Sequence, residues 1–118
     1  EGDGILFGWM GKILRIDLAT KKISSHPLTN EQMELFLGGR GLGAEVLFRE
    51  LPCGIDPLSS DNKLIFATGP LTGTGAATSG RYSVTTRSPL TGTIFDSNSG
   101  GHFGAQLKTG SAQFNNQR

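Results

Sequence analysis

The sequence predicts an α+β fold, a mixed or antiparallel sheet carrying short helices. Three observations lead there. Several stretches of four to seven residues alternate apolar and polar positions as half-buried strands do. Two segments with helical spacing are bounded by a capping residue, glycines or a proline. Strands and helices do not alternate regularly, which argues against a doubly wound parallel sheet. At 118 residues with 36% hydrophobic composition, the chain is one domain or part of one.

The first element is a β-hairpin. Gly11 to Leu18 sets Ile13, Leu14 and Ile16 against Arg15 and Asp17, Lys21–Pro27 returns, and Leu18-Ala-Thr-Lys supplies the turn. Thr29 then opens a helix as a capping box with Gln32. Met33, Leu35, Phe36 and Leu37 form its apolar face, and Gly38–Gly39 stop it. A second helix is expected from about Leu42 to Glu50 with Val46 and Leu47 inward, ended by Pro52. Asp56-Pro-Leu-Ser-Ser-Asp61 is turn chemistry. Leu64–Thr68, Arg81–Arg87 and Thr93–Phe95 read as strands, and His102–Lys108 as a short helix with Phe103 and Leu107 on one face.

Composition narrows the function. A net charge of +1 disfavours a nucleic-acid partner, and no apolar run approaches the ~20 residues that span a bilayer, so no membrane association is expected. Cys53 is the single cysteine and cannot by itself form a disulfide, a zinc site or an iron–sulfur cluster; with no base near it, it reads as a packing or loop residue. The start, EGDGILFGWMGK, lacks the positive n-region of a secretory signal, so a reducing, cytoplasmic setting is expected. His26 and His102 lack partners at metal-ligand spacing, and Asp96 reads as a solvated turn carboxylate. Phe7 and Trp9 read as core or edge anchors. No Ser–His–Asp or paired-carboxylate constellation can be assembled.

The informative stretch is Gly69–Gly104. The pentapeptide Pro-Leu-Thr-Gly-Thr occurs there twice, at Pro70–Thr74 and Pro89–Thr93, amid dense glycine, serine and threonine. Such a surface offers main-chain N–H groups and hydroxyls to a ligand with many acceptor atoms. Arg81 and Arg87 add planar, permanently charged forks suited to phosphate oxygens. Ser79-Gly80-Arg81-Tyr82 sets an arginine where a strand begins, and Asn98-Ser99-Gly100-Gly101 precedes the last expected helix. Each reads either as a tight turn, with Asn98 a helix cap, or as part of an anion-binding platform. Together with the two pentapeptide loops they favour the platform. Gly39-x-Gly41-x-x-Ala44 imitates a dinucleotide fingerprint, but a helix rather than a strand precedes it, so it reads as a close helix–helix junction.

These residues resemble the N-terminal domain of the tungsten-containing aldehyde ferredoxin oxidoreductases. The likeness runs through Gly8-Trp-Met-Gly-Lys-Ile-Leu-Arg-Ile-Asp-Leu18, Leu37-Gly-Gly-Arg-Gly-Leu42, Asp56-Pro-Leu-Ser, Asn62-Lys-Leu-Ile and Ala67-Thr-Gly-Pro-Leu-Thr-Gly-Thr74. It continues in Gly80-Arg-Tyr-Ser-Val, Ser88-Pro-Leu-Thr-Gly92 and Asn98-Ser-Gly-Gly-His-Phe-Gly-Ala-Gln-Leu-Lys108. The resemblance covers residues 8–108, leaving 1–7 as an N-terminal extension and 109–118 as a polar tail. It implies a saddle of two related α+β halves beneath a bis-pterin tungsten cofactor, of which this chain is about the first half. Carried over, Arg81 would contact the pterin or its phosphate. Asn98 would help hold the magnesium ion that bridges the two pterin phosphates, and Ser99, Gly100 and Gly101 would bind the cofactor from the same loop.

In that family the intact enzymes oxidise aldehydes to carboxylic acids and pass electrons through a 4Fe-4S cluster to ferredoxin, while some relatives reduce aromatic thioesters. The resemblance places the second pterin-facing loop, the cluster cysteines and the substrate pocket outside this sequence, so no catalytic residue is expected within it. The leading expectation is therefore part of a tungstopterin platform, whose partners are the remainder of such an enzyme or another copy of the chain in a homo-oligomer. The rival expectation is a non-enzymatic, degenerate piece acting as a self-associating or partner-binding module. A free-standing phosphate-binding domain built on the Gly39 loop is a third, weaker reading.

Overall fold

The computed structural model describes Trp9 and residues 11–109. The expected extension 1–7, with Phe7, lies outside the described residues, as does the expected tail apart from Thr109. The order of elements is β1 (Lys12–Asp17), β2 (Lys22–Pro27), α1 (Asn30–Phe36), α2 (Gly39–Glu50), β3 (Ile65–Thr68), β4 (Tyr82–Arg87), β5 (Ile94–Ser99) and α3 (Phe103–Thr109). β1 and β2 form a separate two-stranded sheet, and β3-β4-β5 form a three-stranded one, antiparallel throughout. The fold is α+β, as the sequence predicts. No helix among the described residues is long and apolar enough to cross a membrane.

Local chemistry accounts for the first half. Asp17 accepts from the N–H of Ala19 at 3.0 Å and so organises the hairpin turn. The capping box is formed: Gln32 N–H donates to Thr29 Oγ1 at 3.0 Å, and Thr29 N–H donates to Gln32 Oε1 at 3.1 Å. Of the expected apolar face of α1, Met33 is buried, whereas Leu35 and Leu37 stay exposed. Leu37 instead lends its carbonyl to the Trp9 indole N–H at 2.7 Å, tying the chain before β1 to the end of α1.

α2 starts at Gly39, three residues before its expected start. Three glycines in its first five residues weaken helix propensity, but contacts with the sheet override it. A Cβ on Gly43 would stand 2.6 Å from Thr85 Oγ1, so only glycine lets the helix axis come this near β4. The close approach the sequence implied is therefore helix against sheet as well as helix against helix. Strand alternation puts Ala67, Ser83 and Thr85 on the sheet face that meets α2, and all three are buried. With Val46, Leu47 and Met33 they make up the core. Thr85 Oγ1 has no hydrogen-bond partner, a consequence of the dry contact with the Gly43 backbone.

The opposite sheet face carries Phe66, Tyr82 and the α3 residue Phe103. Their rings pack with centroids 4.6 Å apart for Tyr82–Phe103 and 6.0 Å for Phe66–Phe103. β5 runs the full length of β4, from Ile94 opposite Arg87 to Ser99 opposite Tyr82. Asn98 and Ser99 are thus strand residues, not loop residues as the sequence suggested, because an edge strand gains most by pairing every available group. Asn98 faces Ser83 and does not cap α3.

Candidate functional site

The antiparallel register brings three chain segments to one end of the three-stranded sheet. Thr68 ends β3 opposite Tyr82, which begins β4 and in turn faces Ser99, the end of β5. The first pentapeptide loop, Gly80–Arg81 and Ser99–Gly101 extend from these three ends. Their backbones touch: a Cβ on Gly80 would stand 2.7 Å from the carbonyl oxygen of Gly101. One on Gly104 would stand 2.8 Å from the Gly80 carbonyl oxygen. Glycine at both positions is what permits α3 to cross the start of β4 at this distance.

The second pentapeptide lies elsewhere. Pro89–Thr93 forms the β4–β5 hairpin loop, closed by Ser88 N–H donating to the Thr93 carbonyl at 2.8 Å. It sits at the far end of a six-residue strand, so the two copies share turn chemistry and not a site. Arg87 goes with it, donating from Nε to the Gly92 carbonyl at 2.9 Å.

The first copy shapes a cavity of about 380 Å³ lined by Gly69, Pro70, Leu71, Thr72, Ala77, Thr78, Ser79 and Arg81. Thr72 is its pivot, 6% exposed. Its Oγ1 accepts from Gly69 N–H at 3.1 Å and donates to the Arg81 carbonyl at 3.2 Å. Gly73 N–H donates to the Ser79 carbonyl at 3.1 Å and closes the far wall. That Ala77–Ser79 wall did not stand out in the sequence, where only a Ser-Gly step before Arg81 hinted at it. Arg81 is the one charged residue on the lining, it is exposed, and its side chain has no hydrogen-bonding or ionic partner among the described residues. Asn98, Ser99, Gly100 and Gly101 lie exposed beside it, and nothing stands within 4 Å of where a Cβ on Gly100 would be. The arrangement can bind and orient an anion. Among the described residues no three His, Cys, Asp or Glu side chains gather as a metal site, and Cys53 is exposed and unpaired.

A second, larger cleft of about 840 Å³ separates the hairpin from α1 and α2. Most of its charges are paired with one another. Arg15 grips Glu50 with both guanidinium nitrogens, and Glu45 accepts from Gln32 Nε2 at 3.1 Å and from Arg49 Nε at 2.9 Å. The Arg15 contact holds the Glu50 carboxyl below its ordinary range, with Lys63 and Arg49 adding to the effect. This network fastens β1 to α2 and engages most of the charged groups on the lining with one another.

The model of the aldehyde ferredoxin oxidoreductase N-terminal domain matches residues 13–114. The chain belongs to the aldehyde ferredoxin oxidoreductase family. It is 54% identical over 103 residues to the tungsten-containing aldehyde ferredoxin oxidoreductase of Pyrococcus horikoshii, and 50% identical to that of Pyrococcus furiosus. It is 34% identical over 106 residues to the WOR-like subunit of an aliphatic sulfonate oxidoreductase of Pyrococcus furiosus. Among solved structures it resembles the active-site complex BamBC of benzoyl coenzyme A reductase bound to 1,5-dienoyl-CoA. That match has a TM-score of 0.83 at 36% identity over 86% of this chain and 16% of the other. The chain spans 17% of the length of the Pyrococcus relatives, so what it shares with this family is an N-terminal portion.

Proposed function

We propose that this chain supplies part of the platform that holds a bis-pterin tungsten cofactor in an aldehyde ferredoxin oxidoreductase-type enzyme, which when intact oxidises aldehydes to carboxylic acids and delivers electrons to ferredoxin. The observation that carries the reading is Arg81, a solvent-facing guanidinium with no side-chain partner among the described residues, over a cavity whose lining holds no carboxylate. The residues suit the group. Arg81 can donate two parallel hydrogen bonds to a pterin phosphate. The open backbone at Gly100 admits a bulky ligand to the main chain, with Ser99 and Gly101 beside it. The Asn98 amide oxygen is a hard neutral donor, fitted to complete a magnesium shell otherwise filled by waters and phosphates.

When bound, such a cofactor supplies the metal-centred redox chemistry. The chain's own residues bind and orient it and move no proton or electron themselves. A 4Fe-4S cluster needs four thiolates, and this sequence holds Cys53 alone, so the cluster ligands belong to other parts of the enzyme. Native mass spectrometry with elemental analysis tests the assignment on the cofactor-bearing protein. Loss of one charged, bidentate contact in Arg81→Ala lowers tungsten occupancy about tenfold or more. Equal tungsten content in the two proteins would remove Arg81 from the site.

A second reading, a module that self-associates or binds a partner, is favoured by one feature. Phe66, Phe95 and Phe103 are about half exposed and Leu64 more so, on or beside the sheet face away from α2.

A further inference from the structure

α3 presents a second cation to the same corner of the molecule, and the pterin reading makes no use of it. Lys108 is 9% exposed, yet no carboxylate answers it among the described residues. Its Nζ donates instead to the carbonyl oxygens of Gly69 at 2.9 Å and Pro70 at 2.8 Å. A lysine this deeply buried without a counter-ion is rare. Burial pushes its amine below the ordinary value, and the two carbonyl dipoles offset that penalty.

Lys108 follows Gly104 by one helical turn, so the two share a face of α3. Gly104 rests on the backbone of Gly80 and Arg81, the second of which lines one wall of the cavity. Lys108 rests on Gly69 and Pro70, which form the other. A single helix face therefore spans both walls, and Thr72 joins them from inside through Gly69 N–H and the Arg81 carbonyl. The two oxygens that Lys108 engages belong to lining residues. Left uncovered, they would repel an anion held by Arg81.

We propose that Lys108 is a positioning residue for the Arg81 anion site: it pins the first Pro-Leu-Thr-Gly-Thr loop against the start of β4 and cancels two carbonyl dipoles on the cavity wall. This rests on the reading of the cavity as a phosphate subsite. The occupant is a phosphoryl group, and Lys108 acts on it through the loop and not by direct contact.

Magnesium pyrophosphate serves as the probe, titrated into the full chain by calorimetry, with amide hydrogen exchange followed in parallel. Arg81→Ala weakens probe binding about tenfold or more. Lys108→Met, with Arg81 intact, weakens it about three- to tenfold, as expected for uncovering two buried acceptors. Because both act on one site, the double variant binds within about twofold of Arg81→Ala alone. Lys108→Arg, which can still donate to both carbonyls, restores most of the affinity. Exchange in Lys108→Met quickens at Gly69–Ser79 while the β4–β5 ladder stays protected. Should that variant fail to fold, Thr72→Val cuts the tie between the same walls and carries the comparison alongside Lys108→Arg.

Unchanged probe affinity and unchanged loop exchange in Lys108→Met overturn the proposal. So does faster exchange spread evenly over the ladder with energies additive to Arg81→Ala, the mark of a merely structural lysine. If the parent chain ignores the probe and Arg81→Ala changes nothing, the phosphate reading fails and the anion-positioning role falls with it. Loop-selective exchange would then leave Lys108 as a loop anchor alone.

Discussion

Glu50 shows how one carboxylate links three parts of the chain. It lies at the end of α2, accepts both arms of Arg15 from β1, and has Lys63 Nζ 3.8 Å away. Its folded pKa is lowered, so across the interval between that value and the unfolded value of about 4.3 the unfolded chain binds more protons. The stabilisation is complete above that interval and is lost as pH falls through the folded pKa. The Arg15 side chain remains 34% exposed, so solvent screening limits the pair to about 1 kcal/mol or less. Urea unfolding of the parent and Glu50→Gln at several pH values checks this. The variant loses stability at neutral pH, and the two curves converge on acidification. Parallel curves from neutral pH to pH 3 would mean that the pair contributes nothing.

At the scale of elements, the seating of α2 on β4 decides the fold, and one glycine controls it. Alanine ordinarily favours a helix interior over glycine by about 1 kcal/mol. At position 43 its methyl would meet Thr85 Oγ1 at 2.6 Å and Thr85 Cβ at 3.0 Å. Thr85 is fully buried in a central strand and has nowhere to move. Overpacking of this kind costs about 1–3 kcal/mol and outweighs the gain in propensity, so Gly43→Ala destabilises the chain. Thermal unfolding reads the sign directly: a variant that melts higher than the parent would show that helix and sheet part easily. Gly54, in an open loop with nothing near its Cβ position, supplies no such steric clash.

The whole molecule buries one sheet face well and the other sparsely. α2 covers Ala67, Ser83 and Thr85, whereas α3 covers only part of the opposite face and leaves Phe66 and Phe95 about half exposed. β5, at the sheet edge, adds a row of backbone groups open to pairing. The isolated chain is therefore expected to self-associate, most simply as a two-fold dimer. Sedimentation velocity over a wide concentration range tests it, and one monomeric species throughout would contradict it. Aldehyde-dependent reduction of an electron acceptor by the isolated chain is expected to match a buffer blank. A cluster cannot be built on one cysteine, and on the platform reading proposed above the chain supplies only part of the cofactor's contacts. Turnover above the blank would show that this portion suffices.

Local chemistry makes much of the chain legible in the sequence itself. Alternation marked the hairpin, Thr29 and Gln32 announced a capping box that the structure forms atom for atom, and Arg81 was legible, alongside Arg87, as a cation in glycine-rich surroundings. These features depend on neighbours within a few residues, which is why sequence determines them. Where distant segments meet was decided only by the tertiary structure. Propensity placed the start of α2 at Leu42, yet the helix seated on the sheet through Gly43 and Thr85 begins at Gly39. Turn composition set Asn98 in a loop, yet pairing with Ser83 makes it strand. Two identical pentapeptides look equivalent, yet the antiparallel register sends one to the cavity and the other to the far end of β4. Lys108 reads in sequence as the close of a short helix. Only the crossing of α3 over β4 carries its amine to two carbonyls nearly forty residues away, because backbone geometry across that distance is set by packing and not by neighbours in the chain.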